Sequence, residues 1–270
     1  MLFRSIIKMN YFIVLIAYII YLVIKILGTK VKKKRLIQLG LLLLYISINL
    51  IPYFSIKQWS YSKLQLNNEE AIPTSAYIYM GMSESYREAG WYGTAISEGW
   101  NNAKKSKTSY SRLIIKRLET FAQKPIYFLD FYKRKITSGC ADPTFQSVWY
   151  AIPREEMHLN NILSSTKYHV LLIYNRALLI IIYGYSLFTL LYNWKRINEN
   201  KILLYLIFLG GFFFHFLWEM KSRYTMSYVI LLIPLAGIGL NDFFNLISEK
   251  LQRHKKLKNK NVEEKYYETS

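Results

Sequence analysis

The feature that most constrains this chain is the way its apolar residues are gathered. They form long, nearly uninterrupted blocks, and the charges collect between them. A soluble domain spreads its apolar residues as stripes, with a period of about 3.6 in helices or 2 in strands. Unbroken blocks instead match helices surrounded by hydrocarbon, because crossing a ~30 Å core takes about 20 mostly apolar residues. Five blocks answer that description: residues 11–28, with Lys25 near one end where its stem can snorkel; 36–56, without a charge; 168–194, interrupted by Arg176; 202–218; and 224–241. The expected fold class is all-α. It is a polytopic membrane protein with about five transmembrane helices and a mainly helical external segment between spans two and three.

Composition closes off other classes. Hydrophobic residues make up 52% of the 270 and aromatics 17%, which is incompatible with intrinsic disorder. The single cysteine, Cys140, cannot form an intrachain disulfide. The first apolar block is too long for a secretory signal, and no small-residue cleavage site precedes the basic run that starts at Lys30.

The net charge of +19 is concentrated in three places. Lys30, Lys32, Lys33, Lys34 and Arg35 link blocks one and two. Lys195, Arg196 and Lys201 link three and four. Lys250, Arg253, Lys255, Lys256, Lys258 and Lys260 follow block five. With five spans all three fall on one side, which the distribution of Lys and Arg in short loops assigns to the cytoplasm. The N-terminus, segment 57–167 and the turn at 219–223 are then outside, in the cell envelope. The charge runs serve topology and attraction to anionic headgroups. The lipid bilayer is the expected partner, and nothing else in the sequence supports nucleic-acid binding. The closing stretch, 261–270, reads as disordered.

The chain therefore divides into 1–56, two spans with a basic cytoplasmic loop; 57–167, the external segment; 168–247, three spans; and 248–270, a basic tail. Within the external segment, 72–100 reads as a short helix followed by irregular loop. Residues 109–122 place Leu113, Ile114, Leu118 and Phe121 at helical spacing, opposite Lys116, Arg117 and Glu119. Pro125 then opens a second helix, a favoured first-turn position, running through Phe128 and Phe131 to Lys133, Arg134 and Lys135. These helices either lie on the bilayer surface or form the core of a small external domain. Residues 140–144 are turn chemistry.

Between blocks four and five lies Glu219-Met-Lys221-Ser-Arg223-Tyr224. Charges this close to hydrocarbon are costly unless paired or facing a polar cavity. One reading is an interfacial anchor, with Trp218 and Tyr224 as an aromatic belt and an acid–base pair beside them. The other is an anion site, where Lys221 and Arg223 grip a phosphate and Glu219 orients them. His215 precedes Glu219 by one turn, either as a packing residue or as part of that site. Arg176 either snorkels outward or reaches the same place. No metal-ligand cluster, P-loop or Gly-x-Ser-x-Gly motif occurs, so no metal or cofactor is expected.

Residues 214–240 (FHFLWEMKSRYTMSYVILLIPLAGIGL) resemble the E-x-K-x-R-Y segment and following helix near the C-terminal end of bacterial GT-C membrane glycosyltransferases. The type most similar is the protein-mannosyltransferase-like group, glycosyltransferase family 39, as found in low-GC Gram-positive bacteria. The stretches at 77–82, 90–93, 131–135 and 142–147 fit the same pattern in the same order. The resemblance implies sugar transfer from a polyprenyl-phosphate-linked donor on the outer membrane face. A carboxylate base would deprotonate the acceptor hydroxyl, and cations would hold the departing lipid phosphate. The candidate lipid-phosphate and substrate residues are those of the anion-site reading: Arg176, His215, Glu219, Lys221, Arg223 and Tyr224. The departure is as informative. The family's catalytic acid lies in an early external loop, whereas no acidic residue precedes Glu69 here. The chain therefore reads as the C-terminal portion of such an enzyme, inactive alone and working with a separate N-terminal membrane half. The competing expectation is a non-enzymatic partner in envelope polysaccharide assembly or export. A transporter ranks behind both, with only Gly210-Gly211 and Pro234 to break its helices.

Overall fold

The structure is a computed structural model that describes residues 11–64, 73–85, 88–91, 103–148, 164–194 and 199–268. Helices joined by turns make up those residues, with no strand among them. In chain order the helices are α1 (Tyr11–Gly28), α2 (Lys32–Leu64), α3 (Thr74–Met82), α4 (Ala103–Gln123), α5 (Pro125–Cys140), α6 (Thr166–Tyr192), α7 (Glu199–Leu217), α8 (Ser222–Ile230) and α9 (Ile233–Glu268).

Two helices are long and apolar enough to cross a membrane, Lys32–Ile56 of α2 and Thr166–Tyr192 of α6. A third span exists if α8 and α9 count as one, although they meet at 52°. This is fewer than the five expected, for two reasons. The apolar stretches of α1 and α7, Phe12–Gly28 and Lys201–Leu217, are no longer than 17 residues. At 1.5 Å per residue they reach about 26 Å, short of a ~30 Å core. The fifth block breaks in two because Pro234 has no N–H to offer the carbonyl of Ile230 and its ring crowds that turn.

α6 packs most extensively against α9, and α7 against α1. The α6–α9 seam is close because it is lined with small residues. A side chain at Gly239 would collide with the Tyr185 carbonyl. Thr189 donates to the Leu235 carbonyl at 2.7 Å, and Ser186 to the Leu232 carbonyl at 3.0 Å. Short polar side chains bonded to a neighbouring helix's backbone are the usual adhesive between membrane helices.

The intervening segment folds as α3, α4 and α5 around Met82, Ala89, Phe121, Phe131 and Tyr132. Ile114 and Phe128 pack on that cluster, and Leu113 on a second one made by Ala76, Met80 and Tyr110. Leu118, expected in the core, is 51% exposed. Arg117, expected on the outer face, takes the inner position instead: its side chain is 16% exposed, donates to the Met82 carbonyl at 2.7 Å and lies over the Phe121 ring. The segment does not sit over the end of the bundle. Tyr183, seventeen residues after Thr166 and so about 25 Å along α6, donates to the Cys140 carbonyl at 3.0 Å. The end of α5 thus runs beside the middle of α6. At the other end of the chain the tail is helical to Glu268, where disorder was expected. Extending an existing helix avoids the cost of nucleation, and the tail is rich in Lys and Glu, both good helix formers.

Candidate functional site

The turn between α7 and α8 is held from behind by α5. Phe128, Phe131, Tyr132 and Lys135 fall at i, i+3, i+4 and i+7, so Lys135 shares the buried face with three aromatics. Its side chain is completely buried. The amine donates to the Gly81 carbonyl at the end of α3 and to the Phe216 carbonyl of α7, the latter at 2.7 Å. Burial pushes Lys135 down to about 7, with the Glu219 charge pulling the other way. Its stem passes over Gly90, whose φ of +74° and missing side chain make the room. The Gly90 carbonyl in turn accepts from the Met220 amide at 3.3 Å. Met220 is fully buried against Gly139.

A second clamp comes from the turn after α5. Asp142 Oδ1 accepts from the Thr144 amide and hydroxyl, and Oδ2 from the Gln146 amide. Oδ2 also accepts from Ser222 at the start of α8, at 2.6 Å. Thr225, one turn on, donates to the Gly139 carbonyl at 2.6 Å. The stretch expected to be only a turn is therefore also the anchor of α8.

Of the six residues singled out in the sequence, five lie together here. Glu219 and Lys221 form an ion pair at 2.6 Å, both side chains mostly covered, with Lys221 5.7 Å from the centre of the Trp91 ring. His215 is buried, its Nδ1 2.8 Å from the Glu219 carbonyl oxygen, and its ring stacks on Tyr224 at 5.8 Å. Arg223 is exposed; its guanidinium lies over the Tyr224 ring and donates to the Tyr224 hydroxyl at 2.8 Å. Arg176 is the exception. It is exposed on α6, and no hydrogen bond or ion pair among the described residues joins it to the turn. The reason is registry: it lies two turns before Tyr183, the α6 residue that touches the α5 end.

Glu84, Asp142 and Glu219, the carboxylates packed into this body, are engaged, whereas Glu88 and Glu119 stand exposed at its surface. Glu84 accepts from Arg134 at 2.8 and 3.0 Å and from Tyr127 at 2.6 Å. The Arg134 hydrogen bonds hold its carboxyl below the ordinary range against the opposing effect of burial. Asp142 holds the turn and Glu219 holds Lys221. Glu69 and Glu70 lie outside the described residues, as do the last two residues of the 90–93 stretch. Among the described residues no cluster of His, Cys, Asp or Glu forms a metal site. Lys135 and Asp142 are the structural keys that sequence reading missed; the i, i+3, i+4, i+7 spacing was the available signal for Lys135.

Against this geometry, no protein-family model, no curated protein and no solved structure matches the chain.

Proposed function

We propose that this chain is a multi-pass envelope membrane protein of the GT-C glycosyltransferase type. In this reading the turn at 219–224 holds the phosphate of a polyprenyl-phosphate-linked sugar at the outer face. α1 and α7 cross as short spans, the bilayer thinning locally to match them. Five spans then place the three basic links in the cytoplasm and the N-terminus outside.

The observation that carries the reading is the placement of Arg223. It is exposed on a turn whose backbone is fixed by Lys135, Met220 and Ser222. A guanidinium presents its donors in a planar fork that matches a phosphate, and this one lies over the Tyr224 ring at the surface. The neighbouring Lys221 is mostly covered and paired with Glu219, so in this reading the exposed Arg223 is the cation that meets the lipid phosphate. A general base needs an available carboxylate with a pKa near the working pH. Glu84, Asp142 and Glu219 each serve structure instead. The chain therefore supplies donor binding, and the base comes from other residues or a partner chain.

The test is binding of undecaprenyl phosphate to the reconstituted protein. Arg223→Ala is expected to weaken it more than tenfold, or about 1.4 kcal/mol. Arg223→Lys recovers part of the loss, and Arg253→Ala in the tail changes nothing. Equal affinity in all four proteins would reduce the turn to an interfacial anchor. The same engaged carboxylates favour a second reading, a non-enzymatic partner in envelope polysaccharide assembly. Purified chain given polyprenyl-phosphate sugars and envelope acceptors separates the two, since a partner stays inactive even when a candidate N-terminal half is added.

A further inference from the structure

Two cavities meet at Ile202, which lines both. The larger, about 720 Å³, is the seam between the α6–α9 and α1–α7 pairs. Leu187 and Leu190 of α6 and Leu206, Phe208 and Leu209 of α7 form its walls, and Leu232 closes it at the α8–α9 break. Its polar side chains are turned into the protein: Ser186 donates to Leu232, Tyr205 to the Ser186 carbonyl at 2.7 Å, and Tyr183 to Cys140. The surface left is hydrocarbon. From Tyr183 to Trp194 it runs about 16 Å along α6, half the ~30 Å core and so the depth of one leaflet.

The smaller cavity, about 320 Å³, lies at the end of α1 and is lined by Tyr21, Lys25, Gly28 and Thr29. Arg35 stands at its rim, donating to the Thr29 carbonyl at 2.8 and 3.1 Å. Those two bonds leave three of its five donors. Lys30, Lys32, Lys33 and Lys34 share the link, and no acidic residue occurs before Glu69. Lys201 adjoins Ile202; Glu199 is the nearest acid in the sequence, its side chain outside the described residues. An apolar slot one leaflet deep thus adjoins a pocket that holds Lys25 and borders the basic link.

We infer that the two cavities form one site for a single anionic glycerophospholipid of the leaflet facing the basic links, with an acyl chain between α6 and α7 and its phosphate at Lys25 and Arg35. The inference rests on the membrane reading of the chain and not on sugar transfer. The lipid fills the seam between the two helix pairs, which pack on each other poorly without it.

The probe is dioleoyl-phosphatidylglycerol added to the full-length protein in detergent, with dioleoyl-phosphatidylcholine as the matched neutral lipid. Phosphatidylglycerol should raise the unfolding temperature and bind at least tenfold more tightly. Lys25→Ala combined with Arg35→Ala should remove that preference, and Lys25→Arg should keep it. Leu206→Trp should weaken both lipids by filling the slot. A photoactivatable phosphatidylglycerol should crosslink the parent at 183–194 and 202–209, a readout that needs no variant to fold. Equal affinity for the two lipids, an unchanged preference in the double variant, or crosslinks spread evenly over the apolar helices would each overturn the inference. Crosslinks at 183–194 and 202–209 lie away from the 219–224 turn, so the outcome here stands apart from the outcome at that turn.

Discussion

Lys135 donates to the Phe216 carbonyl at 2.7 Å, tying the middle of the chain to a helix end 81 residues further on. The same amine reaches back to Gly81. One buried side chain therefore joins α3, α5 and α7, and behind it the turn at 219–224 has a fixed backbone.

That burial makes stability depend on pH in a defined direction. Lys135 sits at about 7 in the folded protein against an ordinary 10.5. Between those values the unfolded chain binds the extra proton, so raising the pH disfavours unfolding. Stability should rise from pH 7 towards 10, with a contribution from this residue of at most about 1.4 kcal/mol per pH unit. In Lys135→Met that rise should be missing. Denaturant unfolding of both proteins at pH 7, 8 and 9 checks it, and a parent–variant difference that stays constant would contradict the assignment.

Gly81 should not tolerate a methyl group. A side chain there would run into the Leu217 and Trp218 carbonyls, which are backbone and cannot rotate away. Gly81→Ala should cost about 1–3 kcal/mol. Gly237→Ala, where nothing lies within 4 Å, should be neutral or stabilising by up to about 1 kcal/mol. Thermal unfolding of the pair decides the matter, and equal shifts would show that α3 and α7 are not in close contact.

The Asp142 carboxylate holds Phe145 and Gln146 at φ of 49° and 61°, a region side-chain-bearing residues seldom enter. Asp142→Ala should cost about 2 kcal/mol or more, and Ser222→Ala only about 1–2, since the latter leaves the turn's own bonds in place. Limited proteolysis should cut the first variant near 145 and spare the second. The reverse order would mean the turn does not depend on its acid.

Much of this was legible in advance. Blocks one, three and four became helices with ends within about three residues of those expected, whereas block two ran on to Leu64 and block five split, its second helix running on to Glu268; a long apolar run has few other ways to satisfy its backbone. Pro125 opened α5 as its missing N–H allows. The break at Leu231-Leu232 was less visible, since Pro234 lay within a block whose composition favoured continuity. Lys135 was hidden by its company: beside Lys133 and Arg134 it reads as one of a solvated run, and only its registry with Phe128, Phe131 and Tyr132 puts it inside. Arg176 was left between two readings, of which the exposed one fits its position on α6, because a block shows that a helix exists and not how far along it a neighbour docks. Asp142 and Ser222 are 80 positions apart, and no local pattern pairs them.

The topology test must avoid Cys140. Burial pushes its thiol up to about 11, which leaves little thiolate at neutral pH, so it would label slowly on either side of a membrane. Ile126, 83% exposed, and Leu251, 59% exposed, are better sites in a Cys140→Ser background. An impermeant maleimide should label Ile126→Cys in intact cells and Leu251→Cys only after permeabilisation. The opposite pattern would reverse the orientation.

The span from Lys135 to Phe216 also sets a timetable. A ribosome adding roughly 5–20 residues per second needs about 4–16 s to cover those 81 positions. Throughout that interval the lysine is made but has no α7 to receive it, and Gly81 and Gly90 wait with it. During synthesis, α3, α4 and α5 must therefore persist as an unfinished assembly, exposed to proteases and chaperones until the fourth apolar block arrives.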